Sequence, residues 1–345
     1  MEKFHNFAPN FTQTMHALSE IMTPFQTIRQ SLASDLKRVN DSIVASLESP
    51  NALMNSVINR YLEKKGKQIR PMLVILSARL LGEVTDNVVS GAVAVELLHN
   101  ASLIHDDVVD DTLVRRGSPT INGLWDNHLA VLVGDFFLST ALLQGVDTGD
   151  VRIIDSISNL GRLLSIGELD EIYTAHANHL DEDAYFNIIY RKTASLFVSC
   201  VEVGAYGTGV DDHRLEILRE YARLLGLCFQ IKDDIFDYFS DEKIGKPTGN
   251  DLREGKITLP LLHVLTDESL PRHDEMLALA RKDSLSEEEI STLMSYAVEN
   301  GGIEYAEAVM DRMLHEAVAL MEQFPDCEAR QSFIDLIHFI IERDS

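Results

Sequence analysis

Apolar residues recur three and four apart through most of this chain, and that spacing restricts the fold before any single residue is considered. The pattern runs through residues 88–104, 152–177, 183–204, 214–238 and 303–324, whereas the alternation of a half-buried strand is scarce. Gly, Pro and Asn gather at 66, 82, 117–119, 145–150 and 207–212, where the helices are expected to end. From about His273 onward the pattern repeats as helix-turn-helix with polar outer faces. With 345 residues, 45% of them apolar, the chain can bury a large core. The expectation is an all-α fold, a single domain over 1–345, with an N-terminal helical segment at 1–50. One stretch breaks the rhythm: residues 240–256 are polar, with three glycines and one proline between two helical segments, and read as a lid.

Charge narrows the partners. Fifty-five acidic against thirty basic residues leave a net charge of −25, which repels nucleic acid and anionic lipid surfaces. A diphosphate would be repelled too unless cations bridged it. The most apolar stretch, 129–146, is interrupted by Asp135 and Gln144 and reads as a buried core helix, not a membrane span. Residues 1–14 lack an apolar signal core. Cys200, Cys228 and Cys327 form no CxxC pair, so a reduced, cytoplasmic setting is expected. His176 and His179 stand three apart, with no third metal ligand evident.

Two acidic clusters share one geometry. Asp106, Asp107 and Asp110 follow apolar helix, and so do Asp233, Asp234 and Asp237. On a helix the first and last of each triad project from one face, with the middle residue about 100° round. One such cluster is ordinarily a solvated helix end. Two copies of the same pattern suit Mg²⁺, a hard cation that takes oxygen ligands, keeps waters and bridges to phosphate. Bound cations would also reverse the local field of so acidic a chain. Basic residues recur at element ends: Lys67 and Arg70 in GKQIRP, where Pro71 is expected to open a helix, Arg115 and Arg116 after the first cluster, and Lys246 and Lys256 around the proposed lid. Lys192 and Thr193 fall in mid-helix.

GKQIRP, LLHNASLIHDDVVDDTLVRRG, GDFFL, RKT, FQIKDDIFDYF and GKPTGNDLREGKITLP, in that order, resemble the trans-isoprenyl diphosphate synthases, in particular the long-chain octaprenyl- and heptaprenyl-type branch. The resemblance implies a helical bundle of the isoprenoid synthase type around a central cavity, a homodimer, and Mg²⁺, three ions when substrate is bound. It also implies roles. Both aspartate triads would hold Mg²⁺ on an allylic diphosphate (geranyl or farnesyl), which Arg115, Lys192 and Lys246 would help neutralise. Lys67, Arg70, His99 and Arg116 would bind isopentenyl diphosphate, and Thr193 and Gln230 would turn oxygen dipoles toward the allylic cation. One position departs from the pattern: Glu171 stands where glutamine is expected, and either alters metal affinity or forms a surface pair.

In such chemistry the allylic C–O bond ionises, the alkene of isopentenyl diphosphate attacks the cation and a proton is lost. The protein supplies positioning, charge stabilisation and exclusion of water. The growing tail would run back along the helix that carries the first cluster, past Ser102, Ala101 and Leu98 toward Val95 and Ala94. In the family a bulky aromatic beside the cluster goes with short products, and here Ala101 and Ser102 are small. At about 5.4 Å per helical turn the product is expected to hold roughly six to eight units, with Phe136 or Phe137 as a floor. A quinone side chain is the expected destination. A class I terpene cyclase, a squalene-type synthase and a non-catalytic subunit of a heteromeric synthase are the alternatives. DDIFD, GKQIRP and two intact clusters argue against them.

Overall fold

The computed structural model describes residues 22–63, 66–115, 117–177, 180–239, 248–282 and 284–343. The chain runs through α1 (Pro24–Ser31), α2 (Ala33–Ser46), α3 (Ala52–Leu62), α4 (Ile69–Leu81) and α5 (Asp86–Val109), then a hairpin of β1 (Val114–Arg115) and β2 (Ser118–Pro119). Next come α6 (Ile121–Leu124), α7 (Asn127–Asp147), α8 (Val151–Ala177), α9 (Glu182–Ile189), a π-helical turn (Tyr190–Ala194), α10 (Ser195–Tyr206) and α11 (Asp212–Phe236). The rest is α12 (Asn250–Arg253), α13 (Leu259–Thr266), α14 (His273–Ala280), α15 (Glu287–Glu299), α16 (Gly302–Met321) and α17 (Glu328–Glu342). The fold is all-α, and the antiparallel hairpin is its one sheet among the described residues.

The long helices start where the sequence supplies caps. Thr85 accepts from the Val88 amide at the head of α5, and Asp211 accepts from Arg214 at the head of α11. α4 begins two residues before the expected proline. Gln68 takes a left-handed conformation (φ 59°) ahead of Ile69, and Pro71 falls inside the first turn, whose amides have no intrahelical partner in any case.

α4 is buried on every side: Met72, Leu73, Val74 and Ile75 are all 0% exposed. It packs on α10, while α5 lies along α7 and α11 is clasped between α10 and α16. The α4–α10 approach depends on Gly204, where a Cβ would stand 2.2 Å from the Val74 carbonyl oxygen. A smaller core under Leu252, Leu261, Val264, Met276, Ile290 and Leu293 gathers α12 to α15.

Two expectations need correcting. The apolar stretch 129–146 does form a helix, α7, but only 39% of its most apolar window is buried. Leu132 and Leu143 are 60% and 62% exposed, so α7 is a peripheral helix with an open apolar face. Residues 183–204 form not one helix but two, joined through the π-helical turn. Of the segment expected at 1–50, residues 1–21 lie outside the described residues, as do 240–247 of the proposed lid. His176 and His179 also fall on residues whose side chains are not described.

Candidate active site

The first cluster closes α5. Asp110 is its C-cap, and the Asp110 amide donates to the Asp106 carbonyl at 2.8 Å, so the two side chains do stand one turn apart. Carboxylates at the negative end of a 24-residue helix are opposed by its dipole, so helix stability gives no reason for them. Burial and the charge of Glu168 push the Asp106 carboxyl up to about 7, despite the Lys192 ammonium nearby. Asp107 is buried (6% exposed) and accepts from Arg115 Nε at 2.6 Å. Its carboxyl is raised by burial, with Arg115 opposing. The hairpin therefore returns Arg115 to the cluster. Arg116 lies outside the described residues.

The second cluster repeats the scheme at the end of α11, with Asp237 as C-cap. Here too the middle residue is the most buried: Asp234 is 3% exposed and receives Tyr185 Oη at 2.6 Å and Gln230 Nε2 at 2.8 Å. Burial raises its carboxyl, and the two donors work the other way. With the Gln230 amide nitrogen committed to Asp234, its oxygen faces Thr193, whose hydroxyl donates to it at 2.7 Å. Asp233 pairs with Arg343 at 2.6 Å, and the Arg343 guanidinium stacks 4.2 Å from the Phe229 ring. Asp237 accepts from the Asn250 side chain at 3.1 Å and the Asp251 amide at 3.0 Å. The described end of the 240–256 segment is thus folded onto this cluster.

A ladder of opposite charges joins the two clusters. Lys192 sits 3.0 Å from Glu168 and 2.7 Å from Glu171, and Lys256 sits 3.0 Å from Glu171 and 2.6 Å from Glu254. Glu168 acts on Asp106, and Glu171 acts on Asp234. Burial would raise the Glu171 carboxyl, but the two ammonium groups outweigh it and hold it below the usual range. Both lysines are held above theirs against burial, chiefly by Glu171. Glu171 is therefore no surface pair. The ladder borders a cavity of about 160 Å³ lined by Lys192, Thr193, Gln230, Asp234, Asp251 and Lys256, with Ile188, Ile189 and Leu262 as its apolar wall.

The structure brings Lys192, Thr193, Gln230 and Asp234 to one cavity, and sets Asp106 and Arg115 within electrostatic reach of its edge. Lys67, Arg70 and His99 do not line it. Lys67 points to α17, 5.8 Å from the Phe339 ring, while Arg70 is directed inward, where it and Glu96 act on Cys200. Lys246 lies outside the described residues. Among the described residues no three carboxylates converge closely enough to hold a cation unaided. The donor set still fits Mg²⁺: hard carboxylate oxygens in pairs suit an ion that keeps waters and takes phosphate oxygens.

Leu98 and Ala101 are buried, and Ser102 is half-buried with its hydroxyl on the His99 carbonyl. Phe137 is fully buried, edge-on to Tyr61 at 5.5 Å, and Phe136 is half-buried. Reading the sequence missed Tyr185, Glu168, Asp251 and Arg343. Tyr185 and Arg343 reach Asp234 and Asp233 from 49 and 110 residues away, so no local spacing marks them. Asp251 could have been found, since it stands in the same polar segment as Lys256.

The polyprenyl synthetase family model matches residues 51–297. The octaprenyl diphosphate synthase of Escherichia coli (strain K12) is 32% identical over 320 residues, covering 92% of this chain and 99% of that one. A crystal structure of a decaprenyl diphosphate synthase from Rhodobacter capsulatus superposes with TM-score 0.85 at 33% identity, over 92% of this chain and 99% of its own. A polyprenyl synthase from Caulobacter crescentus CB15, complexed with calcium and isoprenyl diphosphate, also gives 0.85, at 32% identity over 93% and 98%. A match this long, joined to two helix-ending aspartate triads of which Asp234 enters the cavity wall, places the chain in the polyprenyl synthetase family.

Proposed function

We propose that this chain is a Mg²⁺-dependent trans-prenyltransferase. It adds isopentenyl diphosphate repeatedly to an allylic diphosphate, geranyl or farnesyl, and yields an all-trans polyprenyl diphosphate of about six to eight units. The observation that carries this reading is the charge ladder linking two helix-ending aspartate triads beside a cavity with an apolar wall. Octaprenyl and decaprenyl synthases among its relatives favour a long product.

Asp106 and Asp110, with Asp233 and Asp237, are the residues that would hold Mg²⁺, three ions once substrate is bound. Held there, Mg²⁺ would supply the positive charge that lets the diphosphate depart as a leaving group. Lys192, Arg115 and Lys246 fix the same diphosphate by charge-assisted bonds. Asp107 and Asp234 hold Arg115 and Gln230 in place. The Thr193 and Gln230 oxygens, oriented by their mutual bond and by Asp234, offer negative dipoles to the developing allylic cation. Lys67, Arg70, His99 and Arg116 bind isopentenyl diphosphate. Ile188, Ile189 and Leu262 keep water from the cation, with residues 240–256 as the lid. Homodimerisation through the open face of α7, a cytoplasmic location and a product destined for a quinone side chain complete the proposal.

Incubation of the purified chain with radiolabelled isopentenyl diphosphate, a geranyl or farnesyl primer and Mg²⁺ tests it, with products sized after dephosphorylation. Long all-trans alcohols are expected, and excess chelator abolishes them. A chain inactive alone would instead be a subunit of a heteromeric synthase, and a cyclic hydrocarbon would make it a terpene cyclase.

A further inference from the structure

One oxygen of Glu171, Oε2, contacts both cavity lysines, Lys192 at 2.7 Å and Lys256 at 3.0 Å. Neither lysine needs it for neutrality, since Glu168 also pairs with Lys192 and Glu254 with Lys256. Three carboxylates thus face two ammonium groups, and the surplus negative charge is the one that Glu171 adds. Its side chain is 22% exposed, at the wall of the cavity. Asp234, buried in the same wall, already feels its charge. An isosteric amide at this position would keep the shape and one hydrogen-bonding oxygen, and the ladder would balance.

We propose that Glu171 is a built-in competitor for the substrate diphosphate. It occupies the two ammonium groups that the anion would otherwise take, and so refuses any diphosphate that arrives without divalent cations. The assignment rests on the reading of this cavity as the allylic diphosphate site, and it concerns a position where this chain departs from the glutamine expected of its relatives. A diphosphate carrying cations meets Glu171 differently: the cations offset its charge, and the carboxylate no longer opposes entry. Glu171 is a positioning residue for both lysines that sets how strictly binding depends on the metal.

Calorimetric titration of inorganic pyrophosphate into the wild type, Glu171→Gln and Glu171→Asp, in excess chelator and again in saturating Mg²⁺, tests the idea. In chelator, Glu171→Gln is expected to bind pyrophosphate about tenfold more tightly than the wild type, the worth of one charge-assisted contact no longer contested. Glu171→Asp keeps the charge and should stay close to the wild type, and in Mg²⁺ the gap between Glu171→Gln and wild type should narrow. Equal or weaker binding by Glu171→Gln in chelator overturns the proposal. So does Glu171→Asp behaving like Glu171→Gln. If Glu171→Gln does not fold cooperatively, Glu171→Thr carries the same comparison. A wild type that binds neither pyrophosphate nor farnesyl diphosphate in Mg²⁺ would refute the functional reading itself. Normal binding in Mg²⁺ with no gain in chelator would refute only this inference.

Discussion

The middle aspartate of each triad is the buried one, and each is tied down by its own donors: Arg115 for Asp107, Tyr185 and Gln230 for Asp234. The outer aspartates, Asp106 and Asp110 with Asp233 and Asp237, are less buried. A cation at the second triad would have to displace Arg343 from Asp233 and the Asn250 and Asp251 donors from Asp237. Of the outer four, Asp106 has the clearest proton linkage. Burial, then Glu168, lifts its carboxyl to about 7, so below that pH a cation must displace a proton to reach it. The sign follows. A group whose charged form is disfavoured binds metal more weakly as pH falls, and at higher pH the penalty disappears. The share of the half-saturating Mg²⁺ concentration that Asp106 controls should therefore rise by up to roughly tenfold for each pH unit below about 7. Mg²⁺ titrations of pyrophosphate binding at pH 6, 7 and 8 on the wild type and Asp106→Asn check this, since pyrophosphate takes up its own protons equally in both, and parallel profiles would remove Asp106 from the cation site. The triads themselves were legible in the sequence, because i and i+4 is a property of any helix. What holds their middle residues was not, because Tyr185 arrives from another helix.

Among the elements, the π-helical turn contributes most to the chemistry. An extra residue between α9 and α10 re-aims Lys192 toward α8 and Thr193 toward α11, and such turns frequently mark functional sites. Periodicity could not reveal it, since the apolar spacing on both sides reads as one unbroken helix. Gly167 makes room for it on α8: a Cβ there would come within 2.7 Å of Lys192 Cγ and 3.0 Å of the Lys192 backbone nitrogen. Gly167→Ala should push Lys192 out of the ladder and raise the KM for the allylic substrate about tenfold, at a stability cost of about 1–3 kcal/mol. Steady-state kinetics and urea unfolding measure both, and an unchanged KM would show that Lys192 does not touch that diphosphate. On α5, Ser102 and Ala101 stand one turn before Asp106, where a phenyl ring would meet any tail running down the helix. Ser102→Phe should shorten the product and leave condensation intact. Chromatography of dephosphorylated products decides it, and an unaltered length distribution would refute the path along α5.

At the scale of the whole molecule, the helical class of the fold follows from spacing alone, but which apolar helix faces outward does not. Composition makes α7 the better candidate for a buried helix, with mean hydropathy 1.8 against 1.3 for α5, yet α5 is 67% buried in its apolar window and α7 only 39%. A helix apolar on every face is satisfied equally by this chain, by lipid or by a second protein, and sequence periodicity cannot separate the three. Val131 and Leu132 lie eleven residues from Leu142 and Leu143, three turns along one face, and all four are exposed. A stripe of this length on a chain of net charge −25 should be covered by something apolar that tolerates the acidic surround, which a second copy does and an anionic membrane does not. The expected outcome is a dimer of about 77 kDa, twice the 38.6 kDa chain, in sedimentation velocity, and a monomer for the double variant Leu132→Glu, Leu143→Glu. Two charges facing their own copies across an isologous contact have no counter-ion there, so dissociation should be complete at micromolar concentration. A wild type that sediments as a monomer, or a double variant that remains dimeric, would mean that this face is not the subunit contact.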